Sequence, residues 1–258
     1  MIPDSHAHLD MIEGDTAEVV DRARSAGVSP IITIGITIES SIEAVRHAAT
    51  NNGVFAAVGI HPNDTAATTP EEFERLEEIA RSSDRVVAIG ETGLDYYRER
   101  TPADRQKWAF ARHAQLAKKL GKALIVHDRE AHADVLDLLA EYGPTDTPVI
   151  LHCFSGDERV LSECLQRGYF VSWAGPLTFK NNDYARRLAA MVPLERLLVE
   201  TDSPFLSPEP YRGKPNFPER VRLVAETLAG VCALPLEEME YILTENARSA
   251  FGIELTEG

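Results

Sequence analysis

Disulfide chemistry is missing from this chain. Its three cysteines, Cys153, Cys164 and Cys232, are odd in number and show no paired spacing. That argues against a disulfide framework or a cysteine-built zinc site and predicts a reducing, cytoplasmic setting. No run approaches the roughly 18 apolar residues of a membrane span, and no cationic N-terminal segment leads into an apolar core. Insertion and secretion are both disfavoured. No Pro/Gly/Ser-rich linker, repeat or low-complexity segment divides the sequence, so residues 1–258 read as one domain. Positive charge is scarce too: 26 Lys and Arg against 41 Asp and Glu leave a net charge of −15. Nonspecific nucleic-acid binding is driven mainly by cationic surface. Spreading over duplex phosphates is thereby disfavoured, and a phosphate-bearing substrate must be held locally, by metals and a few arginines. The acidity also serves solubility or a saline habitat equally well.

What is present is alternation. Short β-branched runs near residues 2–6, 31–35, 54–59, 85–90, 123–127, 148–152, 169–173 and 196–200 are separated by amphipathic stretches. Val86-Val87-Ala88-Ile89 and Ala123-Leu124-Ile125-Val126 are almost uninterrupted, as expected of parallel strands covered on their outer face. Thr101-Pro102 predicts a helix start, with Thr101 as N-cap, and Gly121 its end; Phe110, Ala114 and Ala117 share one side of it. Eight strands with seven intervening helices, and more helix after the last strand, predict an α/β fold of the (β/α)8 (TIM) barrel type. An open doubly wound sheet is the alternative. Ser203 to Pro218 is the longest irregular stretch and would lie beside the barrel mouth.

Six residues with metal-binding side chains fall at or just past strand ends: His6, His8, Glu91, His127, His152 and Asp202. A His-x-His pair in a strand projects both imidazoles to one face. Imidazole and carboxylate suit zinc, manganese or nickel and are tolerable for magnesium. Glu91 is best placed to touch two ions, the arrangement of two-metal hydrolysis. Any one of the six has an ordinary alternative as a wall or turn residue; their joint placement carries the metal site. His61, between Val58-Gly59-Ile60 and Pro62, is expected on the substrate side or in proton transfer, the alternative being a buried wall residue. His47, His113 and His132 lie in helical patterns, with surface or packing roles.

The residues also match a known pattern. Asp-Ser-His-Ala-His-Leu-Asp from Asp4, Gly-Ile-His-Pro from Gly59 and Ile-Gly-Glu-Thr-Gly-Leu-Asp-Tyr-Tyr-Arg from Ile89 resemble the TatD-related DNase family of metal-dependent hydrolases. Val-His-Asp-Arg-Glu-Ala from Val126, Leu-His-Cys-Phe-Ser-Gly from Leu151 and Glu-Thr-Asp-Ser-Pro-Phe-Leu from Glu200 continue the likeness. Thr-Phe-Lys-Asn at Thr178, Arg-Gly-Lys at Arg212 and Asn-Ala-Arg at Asn246 extend it. The resemblance implies a distorted barrel holding two divalent ions (Mg, Mn or Zn) and phosphodiesterase activity on DNA. One ion would take His6, His8, Glu91 and Asp202, and the other Glu91, His127 and His152. Two positions depart from the family. Phe217 stands in Asn216-Phe217-Pro218 where Asn-Glu-Pro is common, and Asp128 follows His127 where a small or uncharged residue is usual.

The chemistry expected is stepwise removal of nucleotides from the 3′ end of single-stranded DNA, a 3′–5′ exodeoxyribonuclease. Glu91, Asp202 and His61 are the catalytic candidates, with Asp202 taking the proton of the attacking water. Asp95 is expected to orient a ligand from behind or to cap its loop. Arg98, Arg129 and Arg212 are the candidates to hold phosphate, as guanidinium matches its oxygens in pairs. Tyr96, Trp173 and Phe179 are candidates to stack bases, with strand-end packing the stronger role for Trp173. The rival enzyme class is acyl or amide hydrolysis on the same ligand scheme, such as deacylation of D-aminoacyl-tRNA. A silent barrel that only binds a partner is the non-enzyme alternative. No obligatory protein partner is evident.

Overall fold

A helix-bearing connection between two strands of one sheet brings the second in parallel to the first. The computed structural model, which describes residues 1–98 and 100–254, shows the result. Strands β1 (Ile2–Ala7), β2 (Val28–Ile34), β3 (Val54–Val58), β4 (Val86–Asp95), β5 (Ala123–Arg129), β6 (Val149–Leu151), β7 (Phe170–Trp173) and β8 (Leu197–Val199) follow sequence order in one sheet. All neighbouring pairs from β1 to β8 are parallel. Helices α1 (Thr16–Ser25), α2 (Ile38–Thr50), α3 (Pro70–Arg81), α4 (Ala103–Leu120), α5 (His132–Tyr142), α6 (Glu158–Gln166) and α7 (Asp183–Ala189) alternate with the strands. Helices α8 (Val221–Val231) and α9 (Leu236–Phe251) follow the last one. The TIM barrel expected from the alternation forms, nearly closed.

The apolar residues divide into two layers. Ile31, Val54, Val58, Leu124, Val126 and Val171 pack with the helices. Ile32, Ile34, Ala57, Ala88, Ile125, Ile150 and Leu198 form a second cluster with Ala247, Ala250 and Phe251 of α9. The final helix thus covers one end of the interior. Asn246 fixes it there, its side-chain amide donating to the carbonyls of Leu194 and Leu197 at 2.7 and 2.8 Å.

Closure is weakest between β8 and β1, which is what distorts the barrel. The only ladder contact there among the described residues is a bridge between Ala7 and Ser203, beyond the end of β8. Backbone bonds from Asp202 N to His6 O and from His8 N to Ser203 O, each 2.8 Å, extend it. Asp4 adds two side-chain bonds across the same seam, to the amide and hydroxyl of Thr201 at 2.8 and 2.6 Å. The seam therefore aligns His6 and His8 with Asp202 from the far end of the chain.

Two elements differ from the sequence expectation. Thr101 does not cap α4. Its hydroxyl donates to Asn63 O, and the helix begins one residue later, with Pro102 at the N-cap. Gly121 does end α4, with φ of 63°. Strand β4 runs on past residue 90 to Asp95, its register against β5 shifting between Ile89 and Thr92. Glycines permit this course. Gly90 and Gly93 have φ of 135° and 138°, which a side chain rarely tolerates. A Cβ on Gly90 would lie 2.5 Å from the Ile125 carbonyl oxygen, and one on Gly93 would collide with that of His127.

His113, on α4, braces the β3 end. Its Nδ1 donates to Ala109 O at 2.7 Å, and its Nε2 accepts from Ile60 N at 3.0 Å. Burial holds its pKa down at about 4, against an ordinary 6.5. Below pH 6.5 the unfolded chain takes up a proton here and the folded chain does not. Stability should therefore fall by up to ~3 kcal/mol from this group as pH drops from 6.5 to 4. Urea unfolding should show the advantage of wild type over His113→Asn shrinking across that range. A constant difference would contradict it.

Candidate metal centre

Beyond the apolar layer, at the C-terminal end of the strands, the side chains turn polar. His6 is the penultimate residue of β1 and His8 lies just past it; Glu91 sits in β4, His127 in β5, His152 directly after β6 and Asp202 three residues after β8. His6, His8, Glu91 and His152 are buried, at 0, 4, 3 and 7% exposure. Burying four such groups together is costly unless they neutralise one another or hold a cation.

The six residues converge in two sets. His6 Nε2 and His8 Nε2 are 3.3 Å apart. Glu91 Oε2 lies 3.4 and 3.8 Å from them, and Asp202 Oδ1 3.7 and 3.3 Å. On the other side, Glu91 Oε1 lies 2.8 Å from His127 Nδ1 and 2.9 Å from His152 Nε2, and these nitrogens are 3.3 Å apart. Bonds of about 2.0–2.1 Å to a tetrahedral ion put neighbouring donors about 3.3–3.4 Å apart. The first set, at 3.3–3.8 Å, is slightly expanded from that, and the second is contracted onto the Glu91 oxygen. Donor type and spacing both fit a divalent metal.

Charge follows the same division. Burial would raise Glu91, but His152 and His61 hold its carboxyl well below the ordinary value. Burial would raise Asp202 as well, and the bond from His8 brings it down. Among the imidazoles, burial and the neighbouring His152 lower His6. For His152 burial is outweighed by Glu91 and Glu200, which raise it far above its usual value. Ionised carboxylates beside proton-holding histidines form a site where a metal must displace protons.

His61 stands against the second set, its Nε2 3.6 Å from Glu91 Oε1 and its ring 4.6 Å from that of His127. Its Nδ1 accepts from Asn63 N at 3.1 Å. In the neutral ring the proton is thus on Nε2, so the edge facing the site is a donor rather than a ligand. Asp95 combines the two roles considered for it. Its Oδ2 is 3.3 Å from His127 Nε2, while Oδ1 accepts from the backbone N–H groups of Tyr97 and Arg98 at 3.0 and 2.8 Å.

One functional carboxylate escaped sequence reasoning. Glu200 is fully buried, and its Oε1 lies 3.1 Å from His152 Nδ1, so it orients that imidazole from behind. The signal was present: Glu200 lies two residues before Asp202, the offset that puts side chains of an extended segment on one side, although Asp202 itself has φ of 54°.

The outer candidates are less uniform. Arg129 lies over the exposed Tyr97 ring at 3.9 Å and Arg212 over Phe179 at 4.2 Å. Among the described residues neither pairs with a carboxylate, in a chain with 41 of them. Arg98 is exposed, with its backbone tied to Asp95. Tyr96 is half-buried and donates its hydroxyl to Asp134 at 2.6 Å, so Tyr97, 58% exposed, is the ring presented to solvent. Trp173 is buried against Phe154 and offers no face for stacking. Asp128 turns to His132, 2.7 Å away. Phe217 lies between the guanidinium groups of Arg22 and Arg220, at 4.7 and 5.2 Å.

Comparison with known proteins gives the family. Residues 3–252 match the family described as TatD related DNase. The uncharacterized metal-dependent hydrolase YabD of Bacillus subtilis (strain 168) is 38% identical over 98% of this chain and 100% of its own length. The 3′-5′ ssDNA/RNA exonuclease TatD of Klebsiella pneumoniae (strain 342) is 33% identical, covering 93% of both chains. The crystal structure of YJJV, a TatD homologue from Escherichia coli K12, superposes with a TM-score of 0.92 over 98% of each chain, at 29% identity. The chain belongs to the TatD related DNase family and is a metal-dependent hydrolase.

Proposed function

We propose that this hydrolase is a two-metal phosphodiesterase that removes nucleotides from the 3′ end of single-stranded DNA. The observation that supports it most is the division of Glu91, one oxygen toward His6 and His8 and the other toward His127 and His152. One carboxylate serving two sets of donors suits a pair of ions, here magnesium, manganese or zinc. Bound there, they would supply charge to a phosphate oxygen and lower the pKa of an attacking water toward 7.

The chain's own residues do the rest. Asp202 directs Oδ1 at His6 and His8, leaving Oδ2 to accept the proton of the attacking water. His61 Nε2–H donates to an oxygen of the phosphate under attack. Glu200 and Asp95 hold His152 and His127 in orientation. Arg129 and Arg212 engage flanking phosphates, since among the described residues no carboxylate occupies them. The net charge of −15 opposes broad contact with duplex, which favours a strand end. The Klebsiella relative's name points the same way.

One preparation assayed on a 3′-ended single-stranded oligonucleotide and on D-aminoacyl-tRNA tests the proposal. Metal-dependent release of mononucleotides, abolished by chelator, is expected. Deacylation without nucleotide release would overturn it in favour of acyl chemistry.

A further inference from the structure

Three residues after Asp202, the chain presents an aromatic ring that the metal centre does not explain. Phe205 is 51% exposed, yet its ring meets that of His8 edge-on, with centroids 5.9 Å apart. Its loop is braced rather than free to fold the ring inward. Phe205 N donates to Asp202 O at 2.8 Å, Asn216 N to Pro204 O at 2.9 Å, and the Asn216 side chain to Thr201 O at 2.9 Å. Glu209 N donates to the Thr178 hydroxyl at 2.8 Å, and the Leu206 carbonyl occupies the space a side chain on Gly175 would take. A large apolar ring is thus held in water beside a candidate metal ligand.

The same mouth carries Arg212 over Phe179 and Arg129 over Tyr97. Cations that no carboxylate among the described residues pairs with, next to flat apolar rings, match a ligand that alternates phosphate with aromatic base. We propose that Phe205 is the platform on which the base adjoining the scissile phosphate stacks, making it a specificity-determining residue. This rests on the proposed phosphodiesterase function. A base can reach the ring only after leaving its pairing partner, so Phe205 selects unpaired ends.

Matched single-stranded oligonucleotides, intact or with an abasic residue at one of the three 3′-terminal positions, test this with manganese-loaded enzyme. In wild type, removing the base at one position should lower kcat/KM about tenfold. Phe205→Ala should lose about as much on the intact strand and no longer distinguish it from that abasic strand. Phe205→Trp should restore the distinction, whereas Phe205→Leu, which keeps apolar bulk without a π-face, should not. Unchanged discrimination in both the alanine and leucine variants would overturn the role of Phe205. If wild type releases no nucleotide from any strand, the phosphodiesterase function itself fails, and this inference with it.

Discussion

Alanine at Glu91 is expected to lower metal-dependent nucleotide release at least about a thousandfold, roughly 4 kcal/mol in the barrier. Among the described residues no other lies within 4 Å of both sets of imidazoles through separate oxygens. Its loss also takes from His152, raised far above its usual pKa by Glu91 and Glu200, one of those two counter-charges. Both ions should bind more weakly as a result. Asp202→Asn should lose comparable activity for a different reason. The amide keeps one oxygen near His8 but cannot take a proton, and Glu91 still faces His127 and His152 at 2.8 and 2.9 Å. Initial rates measured beside metal content per chain separate the two cases. Glu91→Ala should retain at most one ion, and Asp202→Asn more than that. Wild-type rates in both variants would mean that a contaminating nuclease was being measured.

Gly93→Ala is expected to cost at least ~3 kcal/mol of stability or to prevent folding. Its φ of 138° is unfavourable for any side chain, and the added Cβ would strike a backbone carbonyl, which cannot move aside cheaply. That carbonyl belongs to His127, Gly93's partner in the β4–β5 ladder, so any relief comes at the expense of a candidate ligand. Gly121→Ala is the control. It also has a positive φ, 63°, but nothing lies within 4 Å of the added atom, so about 1 kcal/mol should be lost. Chemical unfolding of the two variants in parallel measures the difference. Equal costs would mean that backbone strain, rather than the close approach of β4 to β5, governs both.

The strand order and the six clustered side chains were legible because two simple rules apply. Parallel strands buried on both faces leave uninterrupted apolar runs, as at Val86 and Ala123. Few side-chain types ligate metals, and strand ends deliver them to one face. What was hidden depends on atoms distant in sequence. That β4 continues to Asp95 follows from the fit of Gly90 and Gly93 against β5. That Tyr97 rather than Tyr96 faces solvent follows from Asp134, 38 residues after Tyr96, which holds the Tyr96 hydroxyl. Phe205 reads as one more apolar residue until the bracing of its loop shows that it stays outside. Glu200 is the exception, since its offset from Asp202 was on view.

Two ions are expected to share Glu91. Anomalous diffraction from manganese-soaked crystals tests it most directly. Two peaks are expected, roughly 3.5–4 Å apart, one among His6, His8, Glu91 and Asp202 and the other among Glu91, His127 and His152. A single peak at saturating manganese, or two peaks with Glu91 bound to only one, would contradict it.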